Sequence, residues 1–367
     1  MIEEGGVYSD KGIKKLIERG LICSKEAVNE NQIQPSSLDL RLGEMGYCLP
    51  FSSISSNGNF EEFLKNNSSY DVDLSKNGFL HKNCVYVFEL QEYLKLPPGI
   101  SGRVNPKSSI GRIDVHVRLI AENGTSFDKI PYGYSGKLWV EIYPRSFDII
   151  VRKGDCLNQL RFFDSNTCCL DEDCLKKINK NYGLLFESNN DTECLLSEGK
   201  GLFNGIFSLT LDLDERFPGF VSKENAPPVD LSKRDLPFSE YFDKVYLSKG
   251  LGKGLIVNSN SFYILSSKEI ISIPANLCSE MVDIETDAGE VRVHYAGFFD
   301  PNFRAQATLE VRNFGQPFLL TDGQRIGSFK FYRMKDLPEV LYGEKGKGSH
   351  YQGQHGPKLA KYFDMNK

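Results

Sequence analysis

The segment YVFELQEYLKLP (residues 86–97) decides the fold, because its pattern returns as YILSSKEIISIP at residues 263–274. Tyrosine, glutamate and proline stand in register at an offset of 177 residues. Both segments are rich in aliphatic, aromatic and β-branched residues, and turn-forming residues follow them, as is typical of short strands. The two segments are therefore predicted to be strands in equivalent positions of two similar units.

Four further pairs of segments repeat in the same order along the chain. They are SLDLRL (37–42) with SLTLDL (208–213), GRIDVHV (111–117) with GEVRVHY (289–295), YSGKLWVEI (134–142) with FRAQATLEV (303–311), and RKGDCLNQLRFF (152–163) with TDGQRIGSFKFY (321–332). Such ordered self-similarity indicates a duplicated unit. The chain is predicted to contain an N-terminal repeat over residues 1–175 and a C-terminal repeat over residues 200–367.

Composition agrees with a mainly β fold that has few short helices. Hydrophobic residues make up 40% of the chain and charged residues 25%, as in ordinary globular proteins, while 33 glycines and 12% aromatic residues suit a turn-rich β protein. Helical patterns occur only at residues 10–19, where Asp10 is the expected N-cap, and at residues 171–180.

Charge and hydropathy exclude several classes of partner. The formal net charge is -5, which argues against binding along a nucleic-acid polymer but leaves room for a local basic pocket that holds one nucleotide. The chain has no apolar run of the roughly 18 residues that cross a bilayer, and its first residues lack a basic and then apolar signal pattern. We expect a cytoplasmic protein that does not contact membranes.

The NPKSSIGR segment (residues 105–112) carries the residues best suited to bind phosphate. Lys107 and Arg112 flank the hydroxyls of Ser108 and Ser109, and Gly111 lets the backbone approach a ligand closely. Cations, hydroxyls and backbone N–H groups together can hold a phosphate chain. Taken alone, the segment could equally be a polar turn with solvated charges.

Two glutamates inside apolar strands are candidates for a general base. Glu310 lies between Leu309 and Val311, and Glu141 has the same setting in LWVEIY. Partial burial raises the pKa of a carboxyl group towards neutrality, which suits a base. The alternative is that each glutamate faces solvent from the polar side of its strand.

The tail GEKGKGSHYQGQHGPK (residues 343–358) has five glycines and is predicted to be too flexible for a packed core element. Either it is a mobile flap that closes over a ligand or it is a disordered terminus.

Together with QPSSLDLRLG (34–43), AGFFDPNF (296–303), TLEV (308–311) and YQGQHGP (351–357), the NPKSSIGR segment resembles the dCTP deaminase branch of the dUTPase-like superfamily. The length resembles that of its two-repeat bacterial members. The resemblance implies a distorted β-barrel (β-clip) in each repeat and a homo-oligomer, which for this chain would be a trimer of two-repeat chains.

The resemblance also implies the chemistry and the site. The reaction would be hydrolytic deamination of dCTP to dUTP and ammonia in pyrimidine deoxynucleotide synthesis, with a glutamate that activates water and with Mg²⁺ on the triphosphate. The implied catalytic residues are Glu310 or Glu141. The implied substrate-binding residues are Lys107, Ser108, Ser109, Arg112, Ala296, Gly297, Asp300, Tyr351 and Gln354.

A zinc mechanism does not fit the sequence. Zinc nucleobase deaminases carry H-x-E and P-C-x-x-C motifs, and neither occurs in this chain. Cys168, Cys169 and Cys174 form the densest group of thiols, but they lack a C-x-x-C spacing and a nearby histidine. The base is therefore expected to be a carboxylate, and no protein-bound metal is predicted.

The two repeats differ from the family pattern in complementary ways. The N-terminal repeat keeps the NPKSSIGR segment but lacks a tail and has a longer stretch before Glu141. The C-terminal repeat keeps AGFFDPNF, Glu310 and the tail, but has TDAGE (286–290) in place of SSIGR, so that Asp287 and Glu290 would repel phosphate. One site at the interface between repeats is predicted, with Glu310 favoured over Glu141 as the base.

Two other functions remain open. A dUTP diphosphatase, or a bifunctional enzyme that releases dUMP, would share SSIGR and Asp300 but would not need the strand glutamate or the tail. A non-catalytic nucleotide-binding regulator would explain the altered TDAGE segment. Inhibition by dTTP is also undetermined.

We predict that turnover requires Mg²⁺ but no zinc, because a triphosphate with about four negative charges needs a divalent partner. Metal analysis of the active protein, with assays after selective removal of each metal, checks this. Stoichiometric zinc whose removal abolishes turnover would contradict the prediction.

Overall fold

The architecture is mainly β, as predicted, with 46% strand and 12% helix in two domains. The structure, a computed structural model, describes residues 5–54, 58–187, 202–203, 206–213, 217–248, 250–282, 291–293, 297–344 and 350–367. In this part of the chain, no helix has both the length and the apolar character needed to span a membrane.

The helices of the described residues are short. They are α1 (Asp10–Glu18), α2 (Phe60–Asn67), α3 (Ser108–Gly111), α4 (Glu172–Tyr182) and α5 (Phe238–Tyr241), with a 3-10 helix at Glu30–Gln32. The predicted helices correspond to α1 and α4. The predicted N-cap is wrong, because Ser9 holds that position and the Asp10 carboxylate instead accepts the backbone N–H groups of Glu339 and Val340.

The strands of the N-terminal repeat form a nine-stranded sheet and part of a small one. They are β1 (Ile22–Ser24), β2 (Leu38–Leu49), β3 (Tyr70–Asp73), β4 (Gly78–Leu80), β5 (Val85–Lys95), β6 (Ile100–Pro106), β7 (Val115–Ala121), β8 (Lys129–Ile130), β9 (Ser135–Pro144), β10 (Ile149–Val151) and β11 (Cys156–Asp164). The main path of the sheet runs β7-β9-β5-β2-β11-β6-β8.

An eleven-stranded sheet dominates the rest of the chain. The strands that follow α4 are β12 (Leu185–Glu187), β13 (Leu202–Phe203), β14 (Ile206–Asp212), β15 (Gly219–Ser222), β16 (Val229–Asp230), β17 (Leu236–Pro237), β18 (Phe242–Val245), β19 (Gly254–Val257), β20 (Phe262–Ser272), β21 (Leu277–Val282), β22 (Val291–Val293), β23 (Phe298–Phe299), β24 (Arg304–Asn313), β25 (Phe318–Thr321), β26 (Arg325–Arg333) and β27 (Phe363–Asp364). The main path of the eleven-stranded sheet runs β18-β15-β20-β14-β26-β21-β23, and β24 joins this sheet by pairing with β20.

The duplication is visible in the register of the central strand pairs. Val87 of β5 faces Glu141 of β9, and Ile264 of β20 faces Glu310 of β24. The two facing residues, Val87 and Ile264, are 177 residues apart, which is the offset seen in the sequence. The two candidate glutamates therefore occupy equivalent positions in the two repeats.

The C-terminal half contributes a strand and several core residues to the N-terminal repeat. Strand β16 from the C-terminal half runs parallel to β10, with Val229 beside Ile149. The apolar core of the N-terminal repeat also takes in Phe220, Phe242 and Phe262 from the second half. Because apolar burial is the main force that holds such interfaces, the two repeats fold as one packed body.

The predicted tail (343–358) is partly packed, because Tyr351 belongs to the apolar core of the C-terminal half; this corrects the prediction that the tail is too flexible for a packed core element. The residues after the tail are packed as well. Leu359, Ala360, Tyr362 and Phe363 are buried in the core of the N-terminal repeat, and β27 pairs with β17. Tyr351 and Gln354 of the tail line the cleft, and so does Lys361 among the residues that follow it. Deletion of the whole C-terminus would therefore remove core residues as well.

Helix α2 was missed from the sequence because it has only eight residues and buries only two side chains. Phe60 and Leu64 are one turn apart, so they lie on the same face of the helix. Phe60 packs edge-on against Trp139 of β9, with 5.6 Å between ring centroids. The helix thus covers the face of β9 that carries Trp139.

We expect Phe60→Ala to lower the free energy of unfolding by about 3–5 kcal/mol, because it removes a fully buried ring and leaves a cavity against Trp139. Urea denaturation measures the effect. Phe51→Ala, at a ring that is 42% exposed, is the matched control and should cost less than about 1 kcal/mol. Equal losses in both variants would contradict the packing role of α2.

Candidate functional site

A cleft of about 290 Å³ lies between the two repeats of the single chain. It brings together eight of the residues predicted from the sequence: Lys107, Ser108, Ser109, Arg112, Asp300, Glu310, Tyr351 and Gln354. The first four come from the N-terminal repeat and the last four from the C-terminal half. Both halves thus contribute to one cleft, as the complementary motifs predict.

Strand β24 supplies one wall of the cleft. Alternate residues of a strand point to the same face, so Thr308, Glu310 and Arg312 project together towards the N-terminal repeat. All three side chains are buried. The TLE motif therefore places a carboxylate at the bottom of the cleft, two residues from a hydroxyl.

The α3 turn, which contains SSIG, lies directly on this carboxylate. A Cβ atom at Gly111 would overlap both carboxylate oxygens of Glu310, so only glycine allows the observed approach. Arg112 is buried next to Glu310 and Tyr351. Burial lowers the pKa of Arg112, while the nearby Tyr351 and Glu310 act in the opposite direction.

The tail covers the turn from the other side. The Tyr351 ring centroid lies 3.6 Å from Cζ of Arg112, and the Tyr351 hydroxyl is 2.5 Å from Oγ of Ser109. Arg112 also donates to Oε1 of Gln354 at 3.2 Å and to the carbonyl of Lys358 at 2.9 Å. The tail thus engages the same side chains that the sequence assigns to the ligand.

Backbone and side-chain hydrogen bonds hold the tail along β24. Gln354 donates through Nε2 to the carbonyl of Gln306 at 2.8 Å and to Oγ1 of Thr308 at 3.1 Å. Gly353, which has a positive φ of 67°, donates its N–H to the carbonyl of Arg304 at 2.9 Å. The described part of the tail is therefore an ordered wall of the cleft.

Three cations, Lys107, Arg112 and Lys361, line the cleft together with three carboxylates. Lys107 forms an ion pair with the Asp39 carboxylate. This carboxylate raises the pKa of Lys107 although burial acts in the opposite direction. Burial, together with Lys107 and Arg234, lowers the pKa of Lys361 to about 8. A cluster of cations with hydroxyls beside it suits a phosphate chain.

The AGFFDPNF turn is anchored by the opposite repeat. Asp300 accepts a hydrogen bond from Oγ of Ser36 and lies 3.4 Å from Nη2 of Arg161. Arg161 is fully buried, donates to the carbonyl of Phe299 at 2.8 Å, and stacks on Phe298. The early QPSSLDLRLG motif therefore acts through Ser36 on a turn that is 264 residues away in the chain.

Other predicted residues lie at or beyond the edge of this site. Gly297 donates its N–H to Oδ1 of Asn105 at 3.2 Å and accepts the N–H of Met281 at 2.7 Å, and it lines a separate cavity instead of the cleft. Ala296 and the TDAGE segment (286–290) lie outside the described residues.

Glu141 is not part of the cleft. It accepts a hydrogen bond from Oγ of Ser52 at 2.7 Å, and burial raises its pKa. On the same strand, Trp139 stands where β24 has Thr308, and it packs under Phe60 of α2. Ser52 and Phe60 thus contact the strand face around Glu141, whereas the tail and the cleft adjoin the equivalent face around Glu310.

Several lining residues were not singled out from the sequence. Gln34 and Asp39 lie within the QPSSLDLRLG motif and Thr308 within TLEV, so the motifs contained them without assigning them a role. Lys361 follows the tail at a position that carries no local signal. Within the described ranges, no three histidine, cysteine, aspartate or glutamate side chains are grouped so that they could hold a metal ion.

The chain belongs to the 2'-deoxycytidine 5'-triphosphate deaminase family. Residues 4–166 match the N-terminal domain of that family, and residues 171–363 match its C-terminal domain.

Individual relatives agree with this assignment. The crystal structure of 2'-deoxycytidine 5'-triphosphate deaminase from Agrobacterium tumefaciens is 34% identical, superimposes with a TM-score of 0.84, and covers 94% of this chain and 99% of its own. A protein of Methanosphaera stadtmanae named dCTP deaminase, dUMP-forming, is 33% identical over 37% of this chain and 67% of its own length. A protein of Streptomyces coelicolor with the same name is 31% identical over 42% of this chain and 80% of its own.

We expect Gly111→Ala to lower the free energy of unfolding by about 1–3 kcal/mol, because the added methyl group overlaps the Glu310 carboxylate and forces the repeats apart. Gly99→Ala is the matched control, since no atom lies within 4 Å of its added Cβ. Urea denaturation of both variants checks the prediction, and an equally stable Gly111→Ala protein would contradict the close contact.

Proposed function

We propose that this protein deaminates dCTP by hydrolysis, giving dUTP and ammonia. The observation that carries the proposal is the Glu310 carboxylate, which is buried against Gly111 of the SSIGR turn beneath an ordered tail. The family membership and the names of the relatives support the same substrate. The product would feed pyrimidine deoxynucleotide synthesis.

In this proposal, Glu310 acts as the general base. It takes a proton from a water molecule and passes it to the ring nitrogen N3 while the water oxygen bonds to C4 of cytosine, and it then takes the remaining proton from the new C4 hydroxyl. The bond from C4 to the amino nitrogen then breaks, and the amino group leaves as ammonia with the proton that Glu310 returns. One water is consumed for each dCTP, and the carboxylate is regenerated.

The other lining residues would bind and orient the nucleotide. Lys107, Ser108 and Ser109 offer a cation and two hydroxyls to phosphate oxygens, while Arg112 lies between this turn and Glu310. The tail excludes bulk water from the reacting ring and places Gln354 over the cleft.

A magnesium ion carried by the triphosphate fits this site. The described lining includes Lys107, Arg112 and Lys361 and several hydroxyls, while the Asp39 carboxylate is paired with Lys107 and the Asp300 carboxylate accepts a hydrogen bond from Ser36. The ion would therefore arrive with the phosphates, whose charge it would neutralise, and would need no dedicated protein ligands.

A bifunctional reaction that continues to dUMP is the second candidate. It is favoured by the names of the relatives from Methanosphaera stadtmanae and Streptomyces coelicolor, which are called dUMP-forming. A pure dUTP diphosphatase or a non-catalytic regulator would leave the buried position of Glu310 unused. Separate measurement of ammonia and pyrophosphate from dCTP and from dUTP distinguishes all four possibilities.

Glu310→Gln is expected to abolish ammonia release, by at least about 100-fold, while dCTP still binds, because the amide keeps the shape but cannot accept the proton. The matched control is Glu141→Gln at the equivalent position of the other repeat, which should retain substantial activity. Stopped ammonia assays and equilibrium binding of dCTP measure the two effects. Loss of activity in Glu141→Gln with normal Glu310→Gln would overturn the assignment.

A further inference from the structure

A buried ion pair between Asp114 and Arg312 joins the two repeats beside the cleft. Their side chains are 0% and 6% exposed, and neither residue lines the cleft itself. Asp114 lies three residues after Gly111, and Arg312 lies two residues after Glu310 on the same face of β24. The pair therefore connects the two elements whose contact forms the proposed active site.

The pair belongs to a network that fixes both partners. Ser146 donates through Oγ to Oδ2 of Asp114 at 2.6 Å, and Arg312 donates to the same hydroxyl at 3.1 Å. The second arm of Arg312 reaches the carbonyl of Asn260 at 2.8 Å. Arg312 is thus held at two points by groups from both repeats.

Asp114 also closes the turn that carries the phosphate-binding residues. Its N–H donates to the carbonyl of Gly111 at 2.9 Å, and its φ of +56° is a left-handed conformation that aspartate and asparagine tolerate better than most residues. A displacement of the Asp114 side chain would therefore also shift Gly111 and Arg112, which belong to the same short turn.

We propose that Asp114 and Arg312 are positioning residues that hold the Glu310 carboxylate in register with the SSIGR turn. Small displacements between a base and a bound substrate lower the rate strongly, whereas phosphate binding by the turn alone is less sensitive to them. The inference rests on the proposed deamination, because it assigns the pair to the geometry of that reaction.

A neutral side chain at position 114 is expected to leave the protein folded but to lower its catalytic rate. Burial raises the pKa of Asp114 to about 6, even though Arg312, Ser146 and Arg145 oppose the shift. A pKa above the ordinary value means that the folded protein accepts the neutral side chain more readily than the unfolded chain does. Asp114→Asn should therefore keep the fold while it weakens the connection to Arg312.

The test compares kcat, KM and thermal stability in the full-length protein. We expect Asp114→Asn and Arg312→Met each to lower kcat for dCTP about ten-fold or more, with KM changed less than about three-fold. Because the two residues act as one unit, the double variant should lose little more than either single variant. All variants are assayed well below their measured melting temperatures, because removal of one partner leaves the other buried charge unpaired.

Arg103→Met is the matched control, because Arg103 also bridges the repeats, to Glu280 at 2.9 Å, but lies away from the α3 turn. It should leave kcat unchanged. If Arg312→Met fails to fold, Asp114→Asn carries the test, and Arg312→Lys, which keeps a positive charge for Asp114 but loses the contact with Asn260, should retain more of kcat than Asp114→Asn.

Three results would overturn the inference: kcat within two-fold of wild type in Asp114→Asn, a loss that is shared by Arg103→Met, or a fall of kcat that tracks a fall in melting temperature. Failure of the inference is distinct from failure of the proposed function. If the proposed function fails, the unmodified protein itself releases no ammonia from dCTP.

Discussion

The close approach of the Gly111 backbone to the Glu310 carboxylate is the contact on which the rest of the site depends. It requires a residue without a side chain on one repeat and a buried acid on the other. Burial of an ionisable carboxyl group is unfavourable unless neighbouring charges or hydrogen bonds offset its desolvation. Arg112 and the network around it supply that setting, so the interface between repeats and the candidate site are the same structure.

Glu141 and Glu310 occupy equivalent strand positions in different surroundings. Glu141 keeps the strand register of Glu310, but its surroundings are built for packing. Phe60 packs against Trp139, two residues before Glu141 on the same strand, and Ser52 donates a hydrogen bond to the Glu141 carboxylate. Glu141 thus has a hydroxyl partner and lies outside the cleft, so that one chain carries two glutamates in equivalent strand positions and only Glu310 lines the cleft.

The end of the chain has two physical roles that its composition does not separate. Glycines allow the stretch around Gly353 to follow β24 closely, where Gln354 bonds to Gln306 and Thr308. The residues beyond it, such as Phe363, pack into the core of the opposite repeat. The stretch over the cleft is thus held at both ends, one at β24 and one in the apolar core.

The sequence by itself determined the class of the fold, the duplication and the identity of eight residues at the cleft. These depend on local composition and on patterns that recur along the chain, such as the strands around Glu141 and Glu310 and the SSIGR turn. The complementary losses in the two repeats also indicated that the halves had to combine. No local pattern, however, records how far apart two distant segments lie in space.

Only the tertiary structure decided which glutamate meets the SSIGR turn, because that depends on whether other parts of the chain fill the space above each strand. The same applies to Arg161 and Ser36, which reach across the repeats to the turn at Asp300, and to the pair of Asp114 with Arg312. Each of these contacts joins residues more than a hundred positions apart. Their partners are set by the packing of two complete repeats, and no short-range preference of the chain specifies them.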